Sequence, residues 1–183
     1  KRLASEGVKE LVLVAQETTL YGKDLTGEKQ LPLLLHKLCK IEGIEWIRLL
    51  YCYPEEITDE LIKVIKTEEK VCNYIDMPIQ HSENRILQRM GRRTSREDLV
   101  EVIKKLRKEI PDITIRTTLI TGFPGESQED HEGLMNFVEE CQFDRLGVFT
   151  YSPEEDTLAA TFEDQIDEEV KEERRDELMS LQQ

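Results

Sequence analysis

Short apolar runs alternate with amphipathic stretches along this chain. Runs at 10–16, 44–51, 74–80, 113–121 and 144–150 are rich in β-branched and aromatic residues and predict strands. Apolar residues at helical spacing predict helices at 31–40, 58–66, 84–90, 95–109, 127–141 and from 167 onward. Residues 1–6 read as the end of a helix with Gly7 as its C-cap, and 17–27 as a polar loop. Strand starts recur every roughly 30 to 40 residues, the size of a βα unit, so the pattern implies parallel strands with helices outside them. Five such strands, with at least one more expected upstream, suit an incomplete barrel better than a closed eight-stranded one. Proline at 78 weakens the third strand.

One stretch organises the rest. Ile113 to Thr121 is apolar and β-branched with Arg116 as its charged interruption, and it ends in Gly122-Phe123-Pro124-Gly125. Two glycines and a proline in four residues force a sharp turn. Ser127 then stands at an N-cap position with Glu129 and Asp130 in the first helical turn. Ligands of α/β proteins collect at such carboxyl ends of strands. A plain βα turn with capping chemistry explains this stretch equally well when it is read alone.

Polar and aromatic groups follow every predicted strand: Gln16, Glu17 and Thr18; Tyr53 and Pro54; Gln80 and His81; Gly122 to Glu126; Tyr151 and Ser152. Arg116 sits in a strand suited to burial, where an unpaired guanidinium is costly. Its partner is a carboxylate, of a ligand or of a neighbouring strand such as Asp76, and the sequence weighs these equally. His36, His81 and His131 have no zinc spacing. The glycine turn lacks the lysine of a nucleotide-triphosphate loop. Arg89, Arg92 and Arg93 read as cations at a helix C-terminus.

Charge narrows the partners. The net charge is −14, and Pro153 to Gln183 holds twelve acidic and three basic residues, a net of −9. The first 152 residues therefore carry about −5, which is no broad footprint for nucleic acid. The acidic helix at 167–183 reads as a solvated face or as a surface for a basic protein. No apolar run reaches the roughly 20 residues of a membrane span, and no export signal opens the chain. Cys39, Cys52, Cys72 and Cys141 form no close pair, with Cys52 expected on a strand and Cys72 before one. They fit thiols in a reducing compartment, the cytoplasm.

Six segments carry a family resemblance: Leu13-Val-Ala-Gln-Glu-Thr-Thr-Leu-Tyr-Gly22, Trp46-Ile-Arg-Leu-Leu-Tyr-Cys-Tyr-Pro54, Asp76-Met-Pro-Ile-Gln-His81, Leu87-Gln-Arg-Met-Gly-Arg92, Arg116-Thr-Thr-Leu-Ile-Thr-Gly-Phe-Pro-Gly-Glu126 and Phe149-Thr-Tyr-Ser-Pro-Glu-Glu-Asp-Thr157. In order and spacing they resemble the radical S-adenosylmethionine methylthiotransferases over nearly the whole chain. The Ala-Gln-Glu-Thr-Thr loop and the acidic residues after Tyr-Ser-Pro favour the branch that modifies ribosomal proteins over the one that modifies transfer RNA. Asp156 departs from the pattern, where glycine is expected.

The resemblance implies a partial (β/α)₆ barrel over 1–166 and an acidic helix over 167–183 that leads to a TRAM domain. It implies an enzyme that adds a methylthio group to the β-carbon of an aspartate in a small-subunit ribosomal protein, using S-adenosylmethionine, two 4Fe-4S clusters and a protein reductant. The cofactor contacts expected from the rim and the resemblance are Gln16, Thr18, Gln80, His81, Arg116, Gly122, Phe123, Gly125, Glu126 and Tyr151. The family's CxxxCxxC loop matches no segment here, so the chain is expected to ligate neither cluster and to be inactive alone. A non-catalytic α/β ligand-binding or scaffold module is the competing reading.

Overall fold

Strands and helices alternate from end to end in the computed structural model, which describes residues 1–183. The strands are β1 (Glu10–Leu13), β2 (Trp46–Leu49), β3 (Val71–Asp76), β4 (Thr114–Thr121) and β5 (Arg145–Thr150). The helices are α1 (Arg2–Ser5), α2 (Lys23–Thr26), α3 (Leu31–Cys39), α4 (Asp59–Thr67), α5 (Asn84–Arg89), α6 (Arg96–Glu109), α7 (Gln128–Cys141) and α8 (Glu168–Gln182). The chain divides into two compact units, residues 1–77 with 102–115 and residues 78–101 with 116–183.

In the first unit β1, β2 and β3 pair in parallel, with Glu10 opposite Trp46 and Leu49 opposite Ile75. Ile47, Leu49 and Ile75 are buried, and α3 and α4 add Leu35, Leu61 and Ile65 to that core. Thr58 caps α4 as its position before the apolar run requires, its Oγ1 accepting the Leu61 N–H at 3.2 Å. Strand alternation sends Trp46 and Arg48 to the other side of β2. There Arg48 donates to Glu10 at 2.6 Å and lies 4.8 Å from the centre of the Tyr74 ring.

In the second unit β4 pairs in parallel with β5, from Arg116 opposite Arg145 to Thr121 opposite Thr150. Thr117, Leu119 and Thr121 are buried, while Arg116, Thr118 and Ile120 are half-buried. Helix α7 turns Leu134, Phe137 and Val138 into the core. Its capping box is complete: Asp130 accepts the Ser127 N–H at 2.7 Å, and Ser127 accepts the Asp130 N–H at 3.2 Å. Helix α8 packs on β5 and α7.

Several expectations change. The third strand runs over 71–76, not 74–80, because Pro78 has no N–H to continue a ladder. Cys72 therefore lies within β3, and Cys52 lies beyond the end of β2. Gln80 makes only a single bridge, to Leu119. β1 stops at Leu13, and the polar loop after it contains α2. The expected apolar stripe of α8 keeps only Leu178 fully buried, and its other buried residues are Lys171 and Arg174. His131, on α7, is 1% exposed and meets Glu177 at 2.7 Å, so it is a packing residue.

Asp156 stands where the family pattern has glycine, and its φ of 64° lies in the left-handed region that glycine favours. Aspartate tolerates that region at a cost. Asp156→Gly is expected to stabilise the fold by on the order of 0.5 kcal/mol. A higher urea midpoint at an unchanged slope is the result that agrees, and an equal or lower midpoint means the loop relaxes around aspartate.

Candidate functional site

The polar residues of the second unit gather where β4 ends. Gly122 and Gly125 adopt φ values of 71° and 82°, and the chain reverses between them into the capped start of α7. Phe123 is buried in an apolar cluster with Ile86 and Tyr151, its ring 5.1 Å from the Tyr151 ring in edge-on contact. Gly125 donates to the Asp164 carbonyl at 2.8 Å, and the Asp164 carboxylate pairs with Arg89 at 2.7 Å. Arg89 also lies 4.6 Å from the centre of the Phe162 ring. These contacts tie the segment after β5 down onto the turn.

Glu126 is the buried centre of this arrangement, 3% exposed. Its Oε2 accepts the Gly122 N–H at 2.9 Å, and its Oε1 accepts from Arg174 at 2.8 Å and from the Thr121 hydroxyl at 3.4 Å. Arg174 donates as well to the Glu126 carbonyl at 3.2 Å. His81 Nε2 stands 3.4 Å from Glu126 Oε2, within ion-pair range although outside hydrogen-bond geometry. His81 Nδ1 accepts the Glu83 N–H at 3.0 Å, so a neutral ring carries its proton on Nε2, toward Glu126. Burial acts to raise the Glu126 pKa, but contact with His81, the charge of Arg174 and the Gly122 N–H outweigh it and hold the carboxyl below its ordinary value.

Gln80 and Tyr151 differ from Glu126 in having unused groups. Gln80 has a φ of 76°, its N–H donates to the Thr118 carbonyl at 2.9 Å, and its carbonyl accepts from Ile120 at 2.7 Å. Its side-chain Oε1 is buried without a partner, and so is the Tyr151 hydroxyl. Buried polar atoms left unpaired in a native fold call for an explanation, and a ligand is one.

Gln16 and Thr18 belong to the first unit. Gln16 is exposed, while Thr18 is buried and its hydroxyl donates to the Leu50 carbonyl at 2.6 Å. Between them Glu17 accepts the Thr19 N–H at 3.0 Å, while its Oε2 is buried and unpartnered, and desolvation raises its pKa. The second unit thus brings together His81, Gly122 and Glu126 in one network and Phe123 with Tyr151 in another. Arg116 lies earlier on β4, on its half-buried side. Lys171, Arg174 and Asp164 were missed by the sequence reading. Lys171 and Arg174 are three apart on an acidic helix, a spacing that places them on one face.

A model of the radical SAM superfamily matches residues 1–138. The chain belongs to the radical SAM superfamily. Among curated relatives, the ribosomal protein uS12 methylthiotransferase RimO of Lachnoclostridium phytofermentans is 65% identical over 183 residues, which is 100% of this chain and 42% of the relative. RimO of Clostridium perfringens is 60% identical over 182 residues, covering 41% of its length. The chain therefore spans about two fifths of the curated relatives it matches. Among solved structures, the radical S-adenosylmethionine methyltransferase TsrM of Kitasatospora setae aligns with a TM-score of 0.63 at 16% identity, over 81% of this chain and 29% of its own. Coproporphyrinogen III oxidase HemN of Escherichia coli aligns at 0.62 and 18% identity, over 81% and 35%. At such identities the likeness shows the fold, an α/β fold of the radical SAM kind, as the strand spacing and the family resemblance implied.

Because the Glu126 pKa is depressed by folding, its contribution to stability is present above its ordinary value of 4.5 and is lost as pH falls through the lower folded value. Glu126→Gln is expected to flatten the fall of unfolding free energy at acid pH. At neutral pH it should destabilise by about 1–3 kcal/mol, because Arg174 loses a charged acceptor in a buried place. Urea titrations from about pH 7 to about pH 3 read both effects. Parallel pH profiles for the two proteins would show that Glu126 titrates alike folded and unfolded.

Proposed function

We propose that this chain is the central part of a radical S-adenosylmethionine methylthiotransferase acting on ribosomal protein uS12, with a methylthio group replacing hydrogen on the β-carbon of an aspartate. The observation that carries this reading is the 65% identity to RimO maintained across all 183 residues. S-adenosylmethionine, held beside a 4Fe-4S cluster, would supply the radical chemistry that removes the hydrogen.

The residues present fit S-adenosylmethionine. Gln80 Oε1 and the Tyr151 hydroxyl are buried and unpartnered, ready for polar groups of a ligand. Arg116 offers the planar fork that grips a carboxylate with two parallel hydrogen bonds. Within the second unit, His81 and the Gly122-to-Glu126 turn complete the proposed rim, His81 and Glu126 by shaping it; Gln16 and Thr18 are proposed contacts carried by the first unit.

The residues present do not fit the clusters. No group of three or more His, Cys, Asp or Glu is arranged to hold a metal ion. Thiolates are the ligands a cluster needs. Here Cys39 lies on α3, Cys52 beyond β2, Cys72 on β3 and Cys141 on α7, so no one loop presents several thiolates. The ligands of both 4Fe-4S clusters are assigned to the parts of the protein outside these residues, together with a TRAM domain and the docking site for a protein reductant. No helix is long and apolar enough to cross a membrane. A ribosomal substrate fits a cytoplasmic enzyme.

The test uses the full-length protein, reconstituted without oxygen and supplied with S-adenosylmethionine, reductant, a sulfur source and uS12. Mass spectrometry of uS12 is expected to find one methylthio group on an aspartate. Modification of transfer RNA instead would overturn the reading. Arg116→Ala should weaken S-adenosylmethionine binding about tenfold or more while the protein stays folded. An unchanged affinity by calorimetry would leave Arg116 as a structural ion pair.

The charge on α8 bears on the substrate. Its outward residues include Glu169, Glu172 and Glu173, while Lys171 and Arg174 point inward, so the exposed face is more acidic than the sequence count implies. A basic ribosomal protein is drawn to such a surface, and salt screens the attraction. Reversing Glu169, Glu172 and Glu173 to lysine, leaving Glu168 with its partner Lys171, should slow association with uS12 several-fold at low salt and little at high salt. Equal association rates at low salt would dispose of steering.

A further inference from the structure

The glycines of the turn after β4 are required by the chain itself. A Cβ added to Gly122 would lie 2.3 Å from Lys171 Cγ, and one added to Gly125 would lie 2.4 Å from Asp164 Oδ2. The space a ligand would need beside these glycines is already filled by α8 and by the segment before it. Lys171 is 2% exposed, and its ammonium donates to the Tyr151 carbonyl at 3.1 Å and to Glu168 at 2.6 Å. One turn further along the same face, Arg174 holds both the carbonyl and the carboxylate of Glu126.

Burying a lysine and an arginine on the inner face of a helix is unfavourable compared with burying apolar residues of similar volume. Leucine or methionine there would pack α8 onto β5 and α7 without desolvating a charge. What the two cations do that apolar residues cannot is address polar atoms of the rim. Lys171 fixes the Tyr151 backbone and crowds Gly122. Arg174 fixes Glu126, which in turn holds the Gly122 N–H and faces His81 Nε2 at 3.4 Å. Resting on the reading of this rim as a cofactor site, we propose that Lys171 and Arg174 are positioning residues for S-adenosylmethionine: they lock the turn, and through Glu126 the imidazole of His81, in the binding conformation, so the site is formed only with α8 docked.

Arg174→Met alone strands a buried carboxylate and invites misfolding, so the informative protein is full-length Arg174→Met/Glu126→Gln, in which no buried charge is left unpaired. Two quantities are measured on the anaerobically reconstituted enzyme: amide exchange of the peptide spanning 122–126, and the dissociation constant of S-adenosylmethionine by equilibrium dialysis. The double variant is expected to fold, to exchange that peptide about tenfold faster, and to bind S-adenosylmethionine about tenfold more weakly. Arg174→Lys, which keeps the charge pair, should recover most of the affinity, as a mere volume effect would not. Unchanged exchange in the folded double variant overturns the proposal by showing that α8 does not lock the turn. Faster exchange with unchanged affinity also overturns it, for a different reason: the turn is then locked but is no part of the cofactor site, and the Arg116 measurement stands apart from either result.

Discussion

A single buried carboxylate governs the working end of the second unit. Glu126 is out of water, and an isolated carboxylate there would take up a proton rather than keep its charge. It stays ionised because its oxygens meet the Arg174 guanidinium, the Gly122 N–H and the Thr121 hydroxyl, with His81 alongside. Much of the neighbouring design follows. The inner face of α8 must present arginine where a helix would ordinarily present leucine. Gly122 must turn its N–H back toward a side chain four residues later, which its φ of 71° achieves. His81 must keep one ring nitrogen occupied, and the Glu83 N–H at Nδ1 does so.

Backbone strain is placed with similar economy. Tyr51 follows β2 with a φ of 55°, and Gln80 follows the β3 region with a φ of 76°. Left-handed conformations of this kind cost about 1–2 kcal/mol outside glycine and persist only where the surroundings over-determine them. The surroundings do. The Tyr51 N–H donates to the buried Asp76 carboxylate at 3.1 Å, and Gln80 uses both its backbone groups on β4. Each such residue ends an extended segment abruptly and redirects the next polar side chains. At Tyr51 and Gln80 the strain therefore sits at strand ends, where α/β enzymes assemble their sites.

Much of this was legible in the sequence, and the failures have physical causes. β4, its glycine turn and the Ser127 cap were readable because alternation, φ-permissive residues and capping chemistry all point the same way there. The third strand was placed three residues late at its start and four at its end because apolar residues continue through Met77 and Ile79, although Pro78 cannot join a ladder. α8 was read from its apolar residues, and its inner face turned out to depend on Lys171 and Arg174. Composition counts a lysine as surface, since lysine is rarely buried unless paired. The partners that permit burial here are the Tyr151 carbonyl, Glu168 and Glu126, and two of these lie far away in sequence. No local pattern carries that information. At Gly122 and Gly125 the atoms that exclude a side chain are Lys171, Asp164 and Arg89, which no local pattern places there.

The rim residues consequently fall into two physical kinds. Glu126 has its hydrogen-bonding capacity met inside the protein, so a ligand meeting it would have to compete with established bonds. Gln80 Oε1 and the Tyr151 hydroxyl have no such bonds to lose. A buried polar atom without a partner costs about 1–3 kcal/mol, and a ligand that supplies the missing donor or acceptor removes that penalty on binding. In the proposed cofactor site, binding energy would be drawn from the unsatisfied groups, while the satisfied ones hold those groups in place.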